Sequence, residues 1–538
     1  MMLADLWDCQ AFSAFFSLSM DNNYSTILIM QWIDLGIREN CFRKSGGPRY
    51  EQLASWIERL IRERNVMPGE RLPTVRELSR TLSVSATTVA SAFLLLEQRK
   101  IISAEVGRGT FVSKSLHGDA SVGSDGDAMH SRGQLVSPSP AVAWRRRTLM
   151  ALSSRLRATF PSTIDCSTGR PDPALLPFSV IQRAWNRTMP KVAAGDLQYT
   201  GPEPIAPLRE HLVKRLSNDG VPVRGQDLLI CNSAQQAFTL TMEILASQFR
   251  REQITIAVEE PAYPTMLDTL ERYGFQMIGL AMDEFGVVPE SLGAALRAGA
   301  HSVFFTPRAQ NPTGASWSVE RRIELADVLA VHPRVLILED DQFAEVAGTH
   351  PGSLLADPRL ESNVVYVRSF SKSVAPDLRI AAIAARPPLI DRFFEAKSLS
   401  DGWTSRLIQN VLSNVFADDE FEPSLKEART AYEMRRHNAS QAANRFLIPA
   451  GGSTWVGMDG VNIWVHLPPG RDAREVIELA AASGLQLAEG EPFYLAQGHH
   501  NVLRLNAGSV SPDMATRAGN ILGKCCVVST KIRGPIYV

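Results

Sequence analysis

Apolar positions along the chain fall into two regimes. Between Tyr50 and Leu96 they recur at helical spacing: Leu53, Ile57, Leu60 and Ile61 form one apolar face of a first helix, which Pro68-Gly69 ends. Thr74 and Glu77 make a capping-box pair, in which hydroxyl and carboxylate satisfy orphan amides, so a second helix begins there and runs to about Leu82. Ser83-Val84 makes a tight turn and Ser85 caps a third helix. Val89, Ala92, Phe93 and Leu96 turn that helix's apolar face inward, leaving Thr87, Thr88 and Ser91 outward. Beyond Ile101-Ile102, Ala104 to Val112 reads as two strand fragments about a glycine turn. From Asp165 to about Gly523 the regime changes, and short β-branched runs alternate with helical stretches. Leu228 to Cys231, Ile254 to Val258, Ser302 to Phe305, Val335 to Leu338 and Val364 to Val367 are the clearest strands. This alternation predicts an α/β domain with a mainly parallel sheet, whose ligands collect outside the carboxyl ends of the strands.

Between the two regimes, residues 114 to about 145 hold no period. Gly, Ser and Asp dominate, followed by Ser137-Pro-Ser-Pro140, and such a stretch buries too little apolar surface to offset its ordering entropy. A flexible linker of about thirty residues separates its ends by ~30 Å. Trp144-Arg-Arg-Arg147 behind it reads as a solvated helix start, with a DNA contact as the alternative. The first forty-five residues mix Trp, Phe and Met with Asp5, Asp8 and Asp21 and lack the basic start of a signal peptide. The expected organisation is therefore a poorly ordered extension at 1–45, a small helical domain at 46–114, a linker at 115–150, an α/β domain at 160–523 and an unassigned tail at 524–538.

Charge changes this picture only locally. The chain carries 56 Lys and Arg against 57 Asp and Glu, whereas Arg43 to Val112 has twelve basic against seven acidic residues. Two short helices at a tight turn, the second with a small polar outer face, are what a major groove accepts, and a glycine wing can set Arg108 against the sugar-phosphate edge. The six cysteines show neither metal-ligand spacing nor a disulfide framework, which predicts a reducing cytoplasm and no metal. No apolar run reaches eighteen residues, so no membrane partner is expected.

The candidate chemistry lies just after the strands. Val364 to Val367 delivers into a turn with Ser369, Ser371 and Lys372, and Arg379 follows seven residues later. A lysine at a strand end, flanked by hydroxyls and a cation, suits a Schiff base to an aldehyde whose phosphate rests on the serines and the arginine. Asn232-Ser-Ala-Gln235 opens a helix whose free amides, at Ala234 and Gln235, can hold that phosphate. Tyr263 offers a ring to stack on a pyridine, Asn311 a donor for a phenolate oxygen, and Asp340 a partner for a protonated ring nitrogen. Each has a plainer alternative: Lys372 a surface lysine beside a salt-bridging Arg379, Asp340 a helix cap, Tyr263 a core aromatic, Asn311-Pro312 a turn.

Their common order favours the first reading. Ser-x-Ser-Lys-x6-Arg at 369–379, with the strand-end residues before it, resembles the class I aminotransferases, fold type I enzymes dependent on pyridoxal 5'-phosphate. The resemblance implies that Tyr199 reaches the cofactor phosphate of a partner subunit and that Arg504, in Asn501-Val-Leu-Arg-Leu-Asn506, clamps a substrate or effector carboxylate. A site built from two subunits implies a homodimer. The chain departs from the family at Gln342 and Phe343, where a tyrosine is usual, at Cys231-Asn232-Ser233 for Thr-Ser-Gly, and at Pro204 for a glycine.

Pro48-Arg-Tyr50, Pro68-Gly-Glu-Arg-Leu-Pro-Thr-Val-Arg-Glu-Leu78, Ser85-Ala-Thr-Thr-Val89 and Gly107-Arg-Gly-Thr-Phe-Val112 resemble the winged helix of GntR-family regulators. By that resemblance Arg76, Thr87, Thr88 and Gly107 contact double-stranded DNA, and Ala86 stands where the family usually has arginine. A helical protein-interaction domain is the alternative. The whole is similar to the MocR subfamily of bacterial regulators. That implies a multidomain chain: an N-terminal winged helix-turn-helix, then an α/β PLP-dependent transferase of fold type I with a smaller C-terminal α+β subdomain. The implied function is a cytoplasmic transcription regulator, nucleoid-associated when DNA-bound, that carries pyridoxal phosphate on Lys372 and senses an amine, an amino acid or the cofactor itself. A working aminotransferase with an accessory DNA-binding domain, and a cofactor-free scaffold, are the competing readings.

Overall fold

The apolar spacing of the first regime closes a small core. In the computed structural model, which describes residues 48–63, 72–82, 84–99, 101–105, 109–113, 164–496, 498 and 501–527, the chain divides into two units, Met1–Leu135 and Val136–Val538. The extension expected at 1–45, the linker at 115–150, Gly107 and Arg108 lie outside the described residues.

In the first unit, α1 (Arg49–Glu63), α2 (Val75–Thr81) and α3 (Ala86–Gln98) precede β1 (Ile102–Glu105) and β2 (Gly109–Val112), an antiparallel pair with Ile102 opposite Val112. Both predicted caps form. The Thr74 amide donates to the Glu77 carboxylate at 2.7 Å while Glu77 N donates to Thr74 Oγ1 at 3.3 Å, and Ser85 Oγ accepts from Thr88 N at 3.1 Å. Leu53, Trp56, Ile57, Leu78, Val89, Phe93 and Leu96 pack with Ile102 and Val112.

The second unit opens with α4 (Phe178–Thr188) and α5 (Ala206–Asn218), then alternates β3 (Leu228–Cys231), α6 (Ala234–Gln248), β4 (Thr255–Glu259), α7 (Pro264–Tyr273), β5 (Gln276–Leu280), α8 (Pro289–Arg297), β6 (Ser302–Phe305), α9 (Val319–Ala330), β7 (Leu336–Asp341), β8 (Val364–Ser369) and β9 (Ala381–Ala384), followed by α10 (Leu389–Ser400) and α11 (Arg406–Phe416). The strands form one seven-stranded sheet, ordered β3-β9-β8-β7-β6-β4-β5, in which only β9 runs against the others. Its strands read as continuous apolar runs because helices cover both faces. Ile337 and Phe343 pack into the core on one face, Leu338 into the core on the other.

The sheet is mainly parallel, as expected, and two details go beyond the sequence reading. The β8–β9 connection is too short for a crossover helix, which forces β9 to run antiparallel. And β7 continues past Leu338 to Asp341, because two of its three buried acids have partners: Glu339 accepts from Leu354 N at 2.8 Å and from Ser353 Oγ, and Asp341 from Arg308.

The smaller subdomain packs α12 (Phe421–Leu447), α13 (Ala473–Ala482) and α14 (Pro512–Val527) on an antiparallel sheet of β10 (Ser453–Val456), β11 (Asn462–His466), β12 (Ala488–Glu489) and β13 (Val502–Asn506), ordered β10-β11-β13-β12. The helix α14 takes in residues 524–527 of the expected tail, because Cys526 stands four residues beyond Leu522 on the same buried face. Ile164–Asp165 pairs in parallel with Leu485–Gln486, which brings the start of the unit against this subdomain.

Candidate functional site

The carboxyl ends of β3, β7 and β8 open on one cavity of about 510 Å³. Ala234, Gln235, Tyr263, Asn311, Asp340, Ser369, Ser371, Lys372, Arg379 and Arg504 all line it. Among the cofactor candidates Tyr199 alone does not. It is 90 % exposed and sets its ring edge-on to Trp403, centroids 5.6 Å apart.

Lys372 occupies the β8–β9 connection, and its Nζ donates to Gly169 O at 2.6 Å. Burial, then the cation of Arg504, pushes its ammonium down to about 8, so a neutral amine is available near physiological pH. This is not a surface lysine. Arg379 is exposed, has φ 49°, and with Ala309 makes up the non-glycine residues at positive φ among the described residues. Both stand in connections beside the cavity. Ser369 Oγ accepts from Ser371 N at 3.3 Å. At the start of α6, Ser233 caps Gln236 N at 3.1 Å, which leaves the amides of Ala234 and Gln235 at the helix end. Gln235 turns its side chain away to Thr269 Oγ1, 2.9 Å, so its backbone is the part offered to a ligand. A fully buried Lys397 braces this corner, donating to Asp401 at 2.8 Å, which in turn accepts from Asn232 Nδ2 at 2.5 Å.

Strand alternation sorts the end of β7. Leu338, Asp340 and Gln342 line a small pocket beneath the cavity, while Phe343 enters the opposite core. Of the two positions where the family tyrosine is missing, Gln342 is thus the one at the site. Asp340 caps no helix. Among the described residues its buried Oδ1 has no hydrogen-bond partner, and burial, then the charges of Asp341 and Glu259, pushes its carboxyl up to about 7. Asn311 Oδ1 accepts from Arg504 Nη1 at 3.0 Å and Asn462 Nδ2 at 3.4 Å, so its Nδ2 is the donor left for a ligand. Arg504 is buried, donates Nη2 to Ser167 O at 2.6 Å, and lies 5.0 Å from the centroid of the Phe493 ring. Among the described residues it has no carboxylate partner, and burial lowers its guanidinium to about 10. Tyr263, at 39 % exposure, sits at the mouth at the start of α7 and is not a core aromatic.

Sequence reasoning missed Ser167, Thr168 and Gly169, which the pairing of Ile164–Asp165 threads between Lys372 and Arg504. The available signal was a short polar run after a two-residue strand, Asp165-Cys-Ser-Thr-Gly169. Phe493 and the cavity-facing position of Gln342 were equally unreadable.

In the first unit Arg76 is exposed on α2 and Thr87 on α3. Thr88 is half-buried, its hydroxyl 2.8 Å from that of Ser85, and so points outward less than its helical position predicts. Among the described residues no helix is long and apolar enough to cross a membrane, and no cluster of His, Cys, Asp and Glu could hold a metal.

Residues 49–112 match the family "Bacterial regulatory proteins, gntR family" and residues 141–521 match "Aminotransferase class I and II". The chain is 28% identical over 435 residues to the vitamin B6 salvage pathway transcriptional repressor PtsJ of Salmonella typhimurium, covering 80% of this chain and 88% of that protein. It is 25% identical to the uncharacterized HTH-type transcriptional regulator YcxD of Bacillus subtilis, over 88% of this chain and 99% of that one. Among solved structures, Pyrococcus horikoshii kynurenine aminotransferase superposes with a TM-score of 0.63 at 28% identity, covering 70% of this chain and 93% of that one.

Proposed function

The chain belongs to the aminotransferase class I and II family and carries a gntR-family DNA-binding domain ahead of it, and from that premise we propose a MocR-type transcription regulator that binds pyridoxal phosphate on Lys372 and responds to a small amine ligand. The observation that carries this reading is the set of needs left unmet among the described residues in one cavity: the partnerless Asp340 Oδ1, the buried Arg504 with no acid, and the amine of Lys372. A protonated pyridine, a ligand carboxylate and an aldehyde would satisfy them in turn. When bound, pyridoxal phosphate supplies an aldehyde that condenses reversibly with amines, on a ring that withdraws electrons.

The residues present fit that group. Lys372 Nζ is the amine that would hold it, and Asp340 the carboxylate that would keep its ring nitrogen protonated. The amides of Ala234 and Gln235, the hydroxyls of Ser369 and Ser371 and the guanidinium of Arg379 would hold its phosphate. Asn311 Nδ2 is left to donate to the ring oxygen, with Gln342 in place of the family's tyrosine, and Tyr263 can cover the ring. Tyr199, exposed on its own protomer, suits a role in a partner's site and so a homodimer; a regulator of the gntR type would act in the cytoplasm. Because PtsJ is named for repressing vitamin B6 salvage, the cofactor itself stands beside amino acids as an effector. Whatever the ligand, regulation requires that it bind two conformations of the dimer unequally. The second reading, a turning-over aminotransferase, rests on the same Lys372: once freed it is a base of suitable pKa for moving a proton.

The two readings part on DNA. With pyridoxal phosphate present, an amino acid from a panel is expected to shift the affinity of the full-length protein for its promoter. Arg504→Met is expected to raise the concentration needed about 10- to 100-fold, the loss of charge-assisted hydrogen bonds to a carboxylate. The response to an amine lacking that carboxylate should fall far less. Turnover of amino donors without any shift in DNA affinity would favour the enzyme.

A further inference from the structure

The outward stripe of α3 lacks the side chains that read guanine and adenine. Ala86, Thr87, Ala90, Ser91 and Leu94 recur at i, i+1, i+4, i+5 and i+8, and so share one face. Ala86, Thr87 and Leu94 are exposed, Leu94 at 59 %, and Ala90 and Ser91 partly so, whereas Val89, Ala92, Phe93 and Leu96 fill the core. No Lys, Arg or Asn occurs from Ala86 to Gln98, and the one Gln is the last residue of the helix.

Bidentate hydrogen bonds to guanine need Arg or Lys, and those to adenine need Asn or Gln. In a helix-turn-helix the N-terminal residues of the second helix meet the base edges. There this chain offers hydroxyls and methyls alone, and of the hydroxyls on Ser85 and Thr88, 2.8 Å apart, one gives its proton to the other. The outward stripe adds Thr87 and the apolar surface of Ala86, Ala90 and Leu94. One feature of the major groove matches apolar surface, the 5-methyl group of thymine.

Resting on the DNA-binding reading above, we propose that α3 reads its operator through thymine 5-methyl groups, with Thr87 and Ala90 at the centre of the contact. Phosphate contacts from Arg76 then position the helix without specifying sequence. Favoured sites carry T·A pairs where α3 lies, and preference for guanine arises from elements other than this helix.

The test selects duplexes from a random library with the full-length protein, then resynthesises the enriched site with deoxyuridine for thymidine at single positions, which removes only the methyl. Each contacted position should weaken binding about fourfold, the worth of one buried methyl-sized group. Thr87→Ser keeps the hydroxyl and drops the methyl, and should bring the thymine-over-uracil ratio at its base to about one. A merely structural role for Thr87 would weaken both duplexes equally and leave that ratio unchanged, against the proposal. Equal binding of thymine and uracil duplexes, or enriched sites with G·C pairs under α3, would overturn it. Enrichment of no duplex at all would overturn the DNA-binding reading along with it.

Discussion

Arg308→Ala is expected to destabilise the second unit by about 3–5 kcal/mol, because it takes the close cation from the buried carboxylate of Asp341. Arg308 is fully buried, and its Nη2 lies 2.5 Å from both Asp341 Oδ2 and Asp219 Oδ2, with Nη1 3.0 Å from Thr349 O. Despite the burial, Asp341 and Asp219 hold its guanidinium well above the ordinary arginine range. Arg368 extends the network, donating to Asp219 at 2.5 Å and Glu345 at 2.8 Å, and the Tyr366 hydroxyl donates to Asp341 at 2.6 Å. After Arg308→Ala, Arg368 still neutralises Asp219, but among the described residues Asp341 keeps the Tyr366 hydroxyl at 2.6 Å and the more distant guanidinium of Arg368 at 3.8 Å. The double variant Arg308→Ala with Asp341→Asn should therefore lose much less than the sum of the single losses. Urea midpoints of the second unit read this directly, and a loss under 1 kcal/mol for Arg308→Ala would show that the network contributes little. The site depends on the result, since Asp341 fixes the strand end that aims Asp340 at the cavity.

Asp340→Asn should have two opposite effects. The Asp340 carboxyl is pushed up to about 7 by burial, so the folded chain binds its proton more tightly than an unfolded carboxyl at about 3.9 does. The stability it contributes is full below the unfolded value and is lost as pH rises from about 4 to about 7. At pH 8 the ligand-free protein bears the whole penalty, at most ~4 kcal/mol for a shift of about three units. Asparagine keeps the shape without the charge, so the ligand-free variant should be the more stable protein at pH 8 and show a shallower downward slope between pH 4 and 7, since burial pushes Glu259 and Glu339 up to about 7 as well. Its affinity for pyridoxal phosphate should fall about 10- to 100-fold, because the ring nitrogen loses a charged partner. Thermal scans across pH with and without the cofactor test both halves. An unchanged slope together with unchanged affinity would remove Asp340 from the site.

Much of this was legible because the chemistry sits where strands must end. Lys372, Asp340 and Asn311 follow short apolar runs that can only be buried strands, and Ser85 and Thr74 announce their helices by what a helix start leaves unbonded. The remainder depends on partners remote in sequence. Arg308 reaches Asp219 across 89 positions and Arg368 reaches it across 149, and no local period records either pairing. Ser167, Thr168 and Gly169 follow a strand of two residues, too short to show alternation, and gain their place from Leu485–Gln486. The direction of β9 hung on the length of one connection. Thr88 read as outward by helical position, yet the hydroxyl of Ser85 was there to take it.

The central claim is that Lys372 carries pyridoxal phosphate, and one measurement meets it directly. Absorbance spectra of wild type and Lys372→Ala with added pyridoxal phosphate, before and after borohydride, would be followed by mass analysis of the peptide containing residue 372. Borohydride reduces a carbon–nitrogen double bond to a stable amine, so wild type should lose its visible band and retain the pyridoxyl mass on Lys372, and the variant should do neither. Identical spectra for the two proteins, or a label on another lysine, would contradict the account.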